Sequence, residues 1–159
     1  YDLSAQPKLD LADWPDERLR KVERAYAMEY VRSLVPTLLA LFGPDDTWTH
    51  LGHAARLIGM QLYEEISALL GTETGSARAF ADYLGTLAAA QGESIEVAEG
   101  GGEITLRQTG WRLMDGINPH PAAFEAWNRL WEGALAVHNR RLTLTTIRLN
   151  DGIEWRIRG

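Results

Sequence analysis

Two of the four histidines, His50 and His53, stand three residues apart in a stretch with helical periodicity. On a helix that spacing brings side chains to ~5–6 Å of each other, near enough to share a metal ion or to serve one substrate. A histidine in a half-apolar wall has a pKa open to tuning near neutrality, and Leu57 and Met60 belong to the same side of that helix. Glu64 points in nearly the same direction as His53 but lies ~16 Å further along the axis at 1.5 Å per residue. It cannot complete a site with the pair, and adjacent Glu65 diverges from it. The acid–base candidates are therefore His50, His53 and Glu64. A further metal ligand would have to come from His120, His138 or a distant carboxylate; the sequence demands none, and no metal and no cofactor are expected. The plainer account of the pair is one solvated histidine and one that caps or packs.

Aromatic residues supply the other candidates. Trp127 and Trp131 are one helical turn apart, and with Phe124 they can stack on a flat or cationic ligand; such a stripe serves equally as core. Trp111 and Arg112 precede a loop that holds His120, and an arginine there can receive a carboxylate in bidentate fashion or simply be solvated. Leu57, Met60, Trp111, Arg112, His120, Phe124, Trp127 and Trp131 are thus the expected ligand contacts. The glycine run at 100–102 joins two strand-like segments and is flanked by acids, which makes it a poor phosphate cradle. The serines have no nucleophile-elbow setting.

These residues need a scaffold. Residues 1–13 are polar and unpatterned and read as an arm before a single domain over 14–159. Pro15 at a first helical position, Asp13 as cap, and Asp16 and Glu17 in the first turn predict a helix start. Leu19, Val22, Tyr26, Tyr30 and Leu34 continue an apolar stripe that Pro36 should kink or break, with helical character resuming over 37–42 and ending at Gly43-Pro44. The central helix follows over 47–70, with Trp48, Leu51, Ala55, Ile58, Leu62, Ile66 and Leu69 as its expected core side. Its second face carries His50, His53, Leu57, Met60, Gln61 and Glu64 and suits a cavity wall. Thr74 or Ser76 can cap a third helix over 77–91, with Phe80, Leu84, Leu87 and Ala88 inward.

At Gly92 the period changes to two. Residues 94–98 and 103–109 read as a hairpin, 121–139 as a helix with Phe124, Trp127, Leu130, Trp131 and Leu135 on its apolar side, and 142–158 as a second hairpin turning at Asn150-Asp151-Gly152. Three helices, a hairpin, a helix and a hairpin predict an α+β fold, a four-stranded antiparallel sheet covered by helices.

Composition removes several function classes. The 159 residues are 45% hydrophobic and 24% charged, as in an ordinary globular domain. A formal net charge of -6 with no basic cluster argues against nucleic acid and against anionic membranes as partners. No cysteine is present, so disulfides, thiolate nucleophiles and cysteine-held metals are excluded. No segment is long and apolar enough to span a bilayer, no charged-then-apolar leader opens the chain at Tyr1, and a cytoplasmic setting is expected. Met28 and Val31, on the far side of the 19–34 stripe, predict a homodimer through that helix.

The stretch LIGMQLYEEISALLG and the ending TLTTIRLNDGIEWRIRG, together with the order of elements, resemble the 4-vinyl reductase domain and the related amino-thiazoline-carboxylate hydrolase-like family. The match in the last hairpin falls on Thr145, Arg148, Asp151, Gly152 and Trp155. Many members have a cysteine just after that turn; Glu154 stands near its place, so cysteine-dependent chemistry does not carry over. The resemblance implies a small-molecule pocket between helices and sheet, often in a dimer. The leading expectation is a binding domain for a small aromatic or heterocyclic molecule, acting on it by cofactor-independent histidine acid–base chemistry of hydrolase, lyase or isomerase type. A non-catalytic ligand sensor and a protein-interaction module are the alternatives.

Overall fold

The two hairpins make one sheet. The computed structural model describes residues 15–72, 75–110 and 121–159, with the side chains of 19–31, 122, 123 and 126 left outside the description. Strands β1 (Ser94–Gly100) and β2 (Glu103–Thr109) are joined by Gly101 and Gly102, both at positive φ. That is the backbone which a two-residue hairpin turn matched to strand twist requires. Strands β3 (Thr143–Arg148) and β4 (Gly152–Arg158) form the second hairpin, and the sheet order is β1-β2-β4-β3, antiparallel throughout. Leu106 faces Val97 on one side and Trp155 on the other, while Ile104 faces Ile157. The alternation therefore sends Ile104, Leu106, Ile153, Trp155 and Ile157 into the core, all buried. Arg107, Glu154 and Arg156 occupy the opposite face, where Glu154 accepts hydrogen bonds from both arginines.

Helices α2 (Ala77–Ala90) and α3 (Pro121–His138) lie on the apolar side of this sheet. Ser76 caps α2, its hydroxyl accepting from the Ala79 N–H at 3.0 Å, and Phe80 and Leu84 are fully buried beneath it. Each such side chain contributes ~1.5–3 kcal/mol of burial. Phe124, Trp131, Ala134 and Leu135 bring α3 into the same core. The architecture is the expected α+β fold.

The N-terminal helical element α1 (Asp16–Leu70) is two helices that meet at a kink at Gly43 (φ 78, ψ 173), where Gly43-Pro44 is expected to end the first of them. Pro36 does not break it. The Thr37 hydroxyl donates to the Ser33 carbonyl at 2.8 Å and helps satisfy the backbone of the turn that the proline disturbs. Gly71, in the left-handed conformation, ends the helix, and the Thr72 N–H reaches back to the Ser67 carbonyl.

The buried face of α1 also differs. Gly52, Gly59, Tyr63 and Ser67 are buried, whereas Ile58, Leu62 and Leu69 of the expected core side are 46%, 41% and 85% exposed. Close packing is the cause. A Cβ placed on Gly59 would lie 1.9 Å from the Leu130 carbonyl oxygen, and one on Gly133 2.1 Å from that of Arg56. The backbones of α1 and α3 touch through two glycines, so the smallest residues mark the interface and the large aliphatic ones are turned roughly 100° away from it. The 1–13 arm and most side chains of the expected 19–34 dimer face lie outside the described residues.

Candidate functional site

Beside the α1–α3 contact, a cleft of about 930 Å3 opens against β3. Helix α1 supplies Arg56, Met60 and Glu64; α3 supplies Glu132, Leu135, Ala136, Val137 and His138; the following turn and β3 supply Asn139, Arg140, Leu142, Thr143 and Leu144. The end of α3 is tied to the start of α2. Asn139 donates its side-chain N–H to the Gly75 carbonyl at 2.6 Å and receives the Arg141 N–H at 2.9 Å.

His138 is the buried polar centre of this region. Its Nε2 lies 2.8 Å from the Ser76 carbonyl oxygen, which only accepts, so Nε2 carries the proton. Nδ1 then accepts from the Tyr63 hydroxyl at 2.5 Å. Both ring nitrogens are engaged, and this imidazole has neither a lone pair nor a proton left for a substrate. Tyr63 and Phe80 pack against it, and Tyr83 packs on both of them, its ring centroid 5.0 Å from that of Tyr63. Burial pushes the Tyr83 phenol up to about 12, and the neighbouring Tyr63 adds to that; burial raises Tyr63 as well, partly offset by the Ser67 hydroxyl. These phenols stay neutral and structural.

The charges of the cleft are balanced. Glu132 is held by Arg129 at 2.6 Å, with Arg56 3.9 Å away. Glu64 and Arg140, both exposed, form no ion pair among the described residues. An apolar floor of Met60, Leu135, Leu142 and Leu144 therefore meets one unpaired acid and one unpaired base at its margin.

Among the described residues, Met60 and Glu64 are the only candidates from the sequence that the cleft brings together. His50, His53 and Leu57 are exposed and do not line it, so the Met60–Glu64 end of that helix face is the part that meets the cleft. The cleft begins at Arg56, where α3 crosses, and His53 falls short of the opening. Among the described residues, no tryptophan lines this cleft. Phe124 and Trp131 are buried in the core, and Trp127 packs against it, 5.5 Å from Trp131 in an edge-on pair. Trp111, Arg112 and His120 lie outside the described residues. Among the described residues no three histidine, aspartate or glutamate side chains gather in a metal-holding group. Sequence reading missed Arg56, Glu132, Asn139, Arg140, Leu142 and Leu144; only the basic turn directly after α3 hinted at them.

No family model matches the chain, and no curated protein does. Among solved structures it is similar to trafficking protein particle complex subunit 3 from Naegleria fowleri, determined covalently bound to palmitic acid. The TM-score is 0.64 at 16% identity, over 87% of this chain and 95% of that one. A likeness at that identity speaks for the fold. No helix among the described residues is long and apolar enough to cross a membrane.

Proposed function

We propose that this protein is a binding domain that holds a small amphipathic organic molecule in the α1–α3–β3 cleft without transforming it. The observation that carries the reading is the cleft itself, an aliphatic floor bordered by the unpaired Glu64 and Arg140. The acid–base enzyme reading has lost its geometric support, because His50 and His53 are outside the cleft and both nitrogens of His138 are engaged. The lining also favours an aliphatic body over a flat aromatic one, since Trp127 and Trp131 pack in or against the core. The palmitic acid of the structural neighbour is a molecule of that class. Without cysteine the chain has no thiol to hold an acyl ligand as a thioester. Descent from the 4-vinyl reductase-like proteins is compatible with this reading and rests on the two stretches that resemble them.

Titration with a fluorescently labelled lauric acid tests it. Saturable one-to-one binding is expected, weakened at least about tenfold by Ala136→Trp, which fills the cleft. Absence of binding up to about 100 μM, or equal binding by the variant, counts against the reading.

A second reading has its own observation. The exposed aliphatic residues of α1 are more than an isolated domain needs, and the structural neighbour is a subunit of a complex. Assembly with another protein chain is the function they support.

A further inference from the structure

Arg56, Met60 and Glu64 line the cleft from α1 at intervals of four residues, and Glu132, Ala136 and Arg140 line it from α3 and the turn after it at the same interval. Both series run charge, apolar residue, charge, with the signs reversed between them. At the first step the charges meet, Glu132 being held by Arg129 at 2.6 Å with Arg56 at 3.9 Å. At the last step, ~12 Å further along α1 at 1.5 Å per residue, they do not. The Glu64 carboxylate and the Arg140 guanidinium both line the cleft, both are exposed, and they form no ion pair among the described residues. We propose that the molecule held in the cleft has an aminocarboxylate head on an aliphatic chain, with its ammonium at Glu64 and its carboxylate at Arg140. This inference rests on the proposed binding function and names the class of ligand.

The uncharged polar side chains that line the cleft are already spent within the protein. Tyr63 and the Ser76 carbonyl engage both ring nitrogens of His138. The Asn139 amide donates to the Gly75 carbonyl and accepts from the Arg141 N–H, and the Thr143 hydroxyl donates to the Arg158 carbonyl. Recognition of a head group therefore falls to Glu64 and Arg140. A carboxylate can take two parallel N–H bonds from a guanidinium, and an ammonium makes a charge-assisted bond to a carboxylate. A plain fatty acid would answer Arg140 and bring a second negative charge into the cleft with Glu64; a plain amine would do the reverse. Such like-charge juxtaposition selects against both. A head that carries both signs answers both side chains. The chain then lies between Met60 and Ala136 over Leu142 and Leu144, which pack against the core.

Three probes of one chain length isolate the head: 2-aminodecanoic acid, decanoic acid and decylamine, each titrated by calorimetry at pH 7. The amino acid is expected to bind one-to-one and at least about tenfold more tightly than either of the others. Glu64→Gln should abolish its advantage over decanoic acid, and Arg140→Gln its advantage over decylamine. Arg56→Gln, at a guanidinium already beside Glu132, should leave the ranking unchanged. An unchanged melting temperature in each variant shows that the fold is kept, and the ranking on the wild type needs no variant. Equal affinity for the three probes overturns the inference, as does an advantage that survives both Glu64→Gln and Arg140→Gln. In either case lauric acid binding that Ala136→Trp weakens leaves the binding function standing. No binding of any probe or of lauric acid up to about 100 μM overturns both.

Discussion

Replacing Gly59 with alanine should separate the two helices on which the cleft depends. The added Cβ would stand 1.9 Å from the Leu130 carbonyl oxygen, with the carbonyl carbon at 2.8 Å. Ordinary contact needs ~3.5 Å, and a backbone carbonyl inside α3 cannot rotate aside, so the helices must part by about 1.5 Å at the crossing. A gap of 0.5–1 Å already forfeits roughly a quarter to a half of each contact's attraction, and overpacking of this kind costs typically ~1–3 kcal/mol. Alanine returns up to ~1 kcal/mol through its better helix propensity. The expected balance is a loss of about 2 kcal/mol, or a melting temperature lower by ~4–8 °C in a domain of this size.

The same substitution at Gly52 is the control. There the new Cβ would meet only the Arg129 Cγ at 3.5 Å, an ordinary contact, so the propensity gain should stand alone and stabilise by ~0.5–1 kcal/mol. Gly133→Ala should resemble Gly59→Ala, because its Cβ would lie 2.1 Å from the Arg56 carbonyl oxygen. The double variant should lose less than the sum, since helices already parted have room for the second methyl. Urea unfolding followed by circular dichroism measures all four. The reasoning is refuted if Gly59→Ala and Gly52→Ala agree within about 0.5 kcal/mol, or if the double variant is additive.

Tyr63→Phe removes the donor to His138 Nδ1 and leaves a buried lone pair unmet, which should cost ~1–2 kcal/mol. Nitrogen-15 NMR should show the Nε2–H tautomer in the wild type, and an Nδ1–H signal there would count against the assignment. Glu154→Gln tests the outer sheet face. Hydrogen bonds from Arg156 and then Arg107 hold the Glu154 carboxyl below its ordinary 4.5, so its stabilisation is present above that pH and is lost as pH falls through the lower folded value. The stability difference between wild type and variant should be flat near neutrality and shrink progressively in acid; a gap independent of pH would contradict the pairing.

What the sequence disclosed follows the physics of each element. The hairpins were legible because period-two alternation and the glycine turns are local signals. Helices α2 and α3 were legible because their apolar sides face a sheet, where the burial of large side chains outweighs every other contribution. The helix over 47–70 and its limits at Gly43 and Gly71 were legible too, but its buried face was not, for the opposite reason. Its partner is another helix approached at backbone distance, and at that range the favoured residues are glycines, which hydropathy periodicity does not count. The aliphatic row read as core is thereby turned outward, while of the second face Met60 and Glu64 line the cleft and His50, His53 and Leu57 do not. His50 and His53 share a helix side with Met60 and Glu64, but a site needs a second wall as well as a face. That wall comes from α3 and β3, whose positions depend on where Gly59 meets Leu130 and Gly133 meets Arg56, contacts between residues more than 70 positions apart that no local pattern encodes. The one contact that escaped the sequence therefore decides both what the interior holds and what the surface offers, the cleft on one side of α1 and the exposed row on the other.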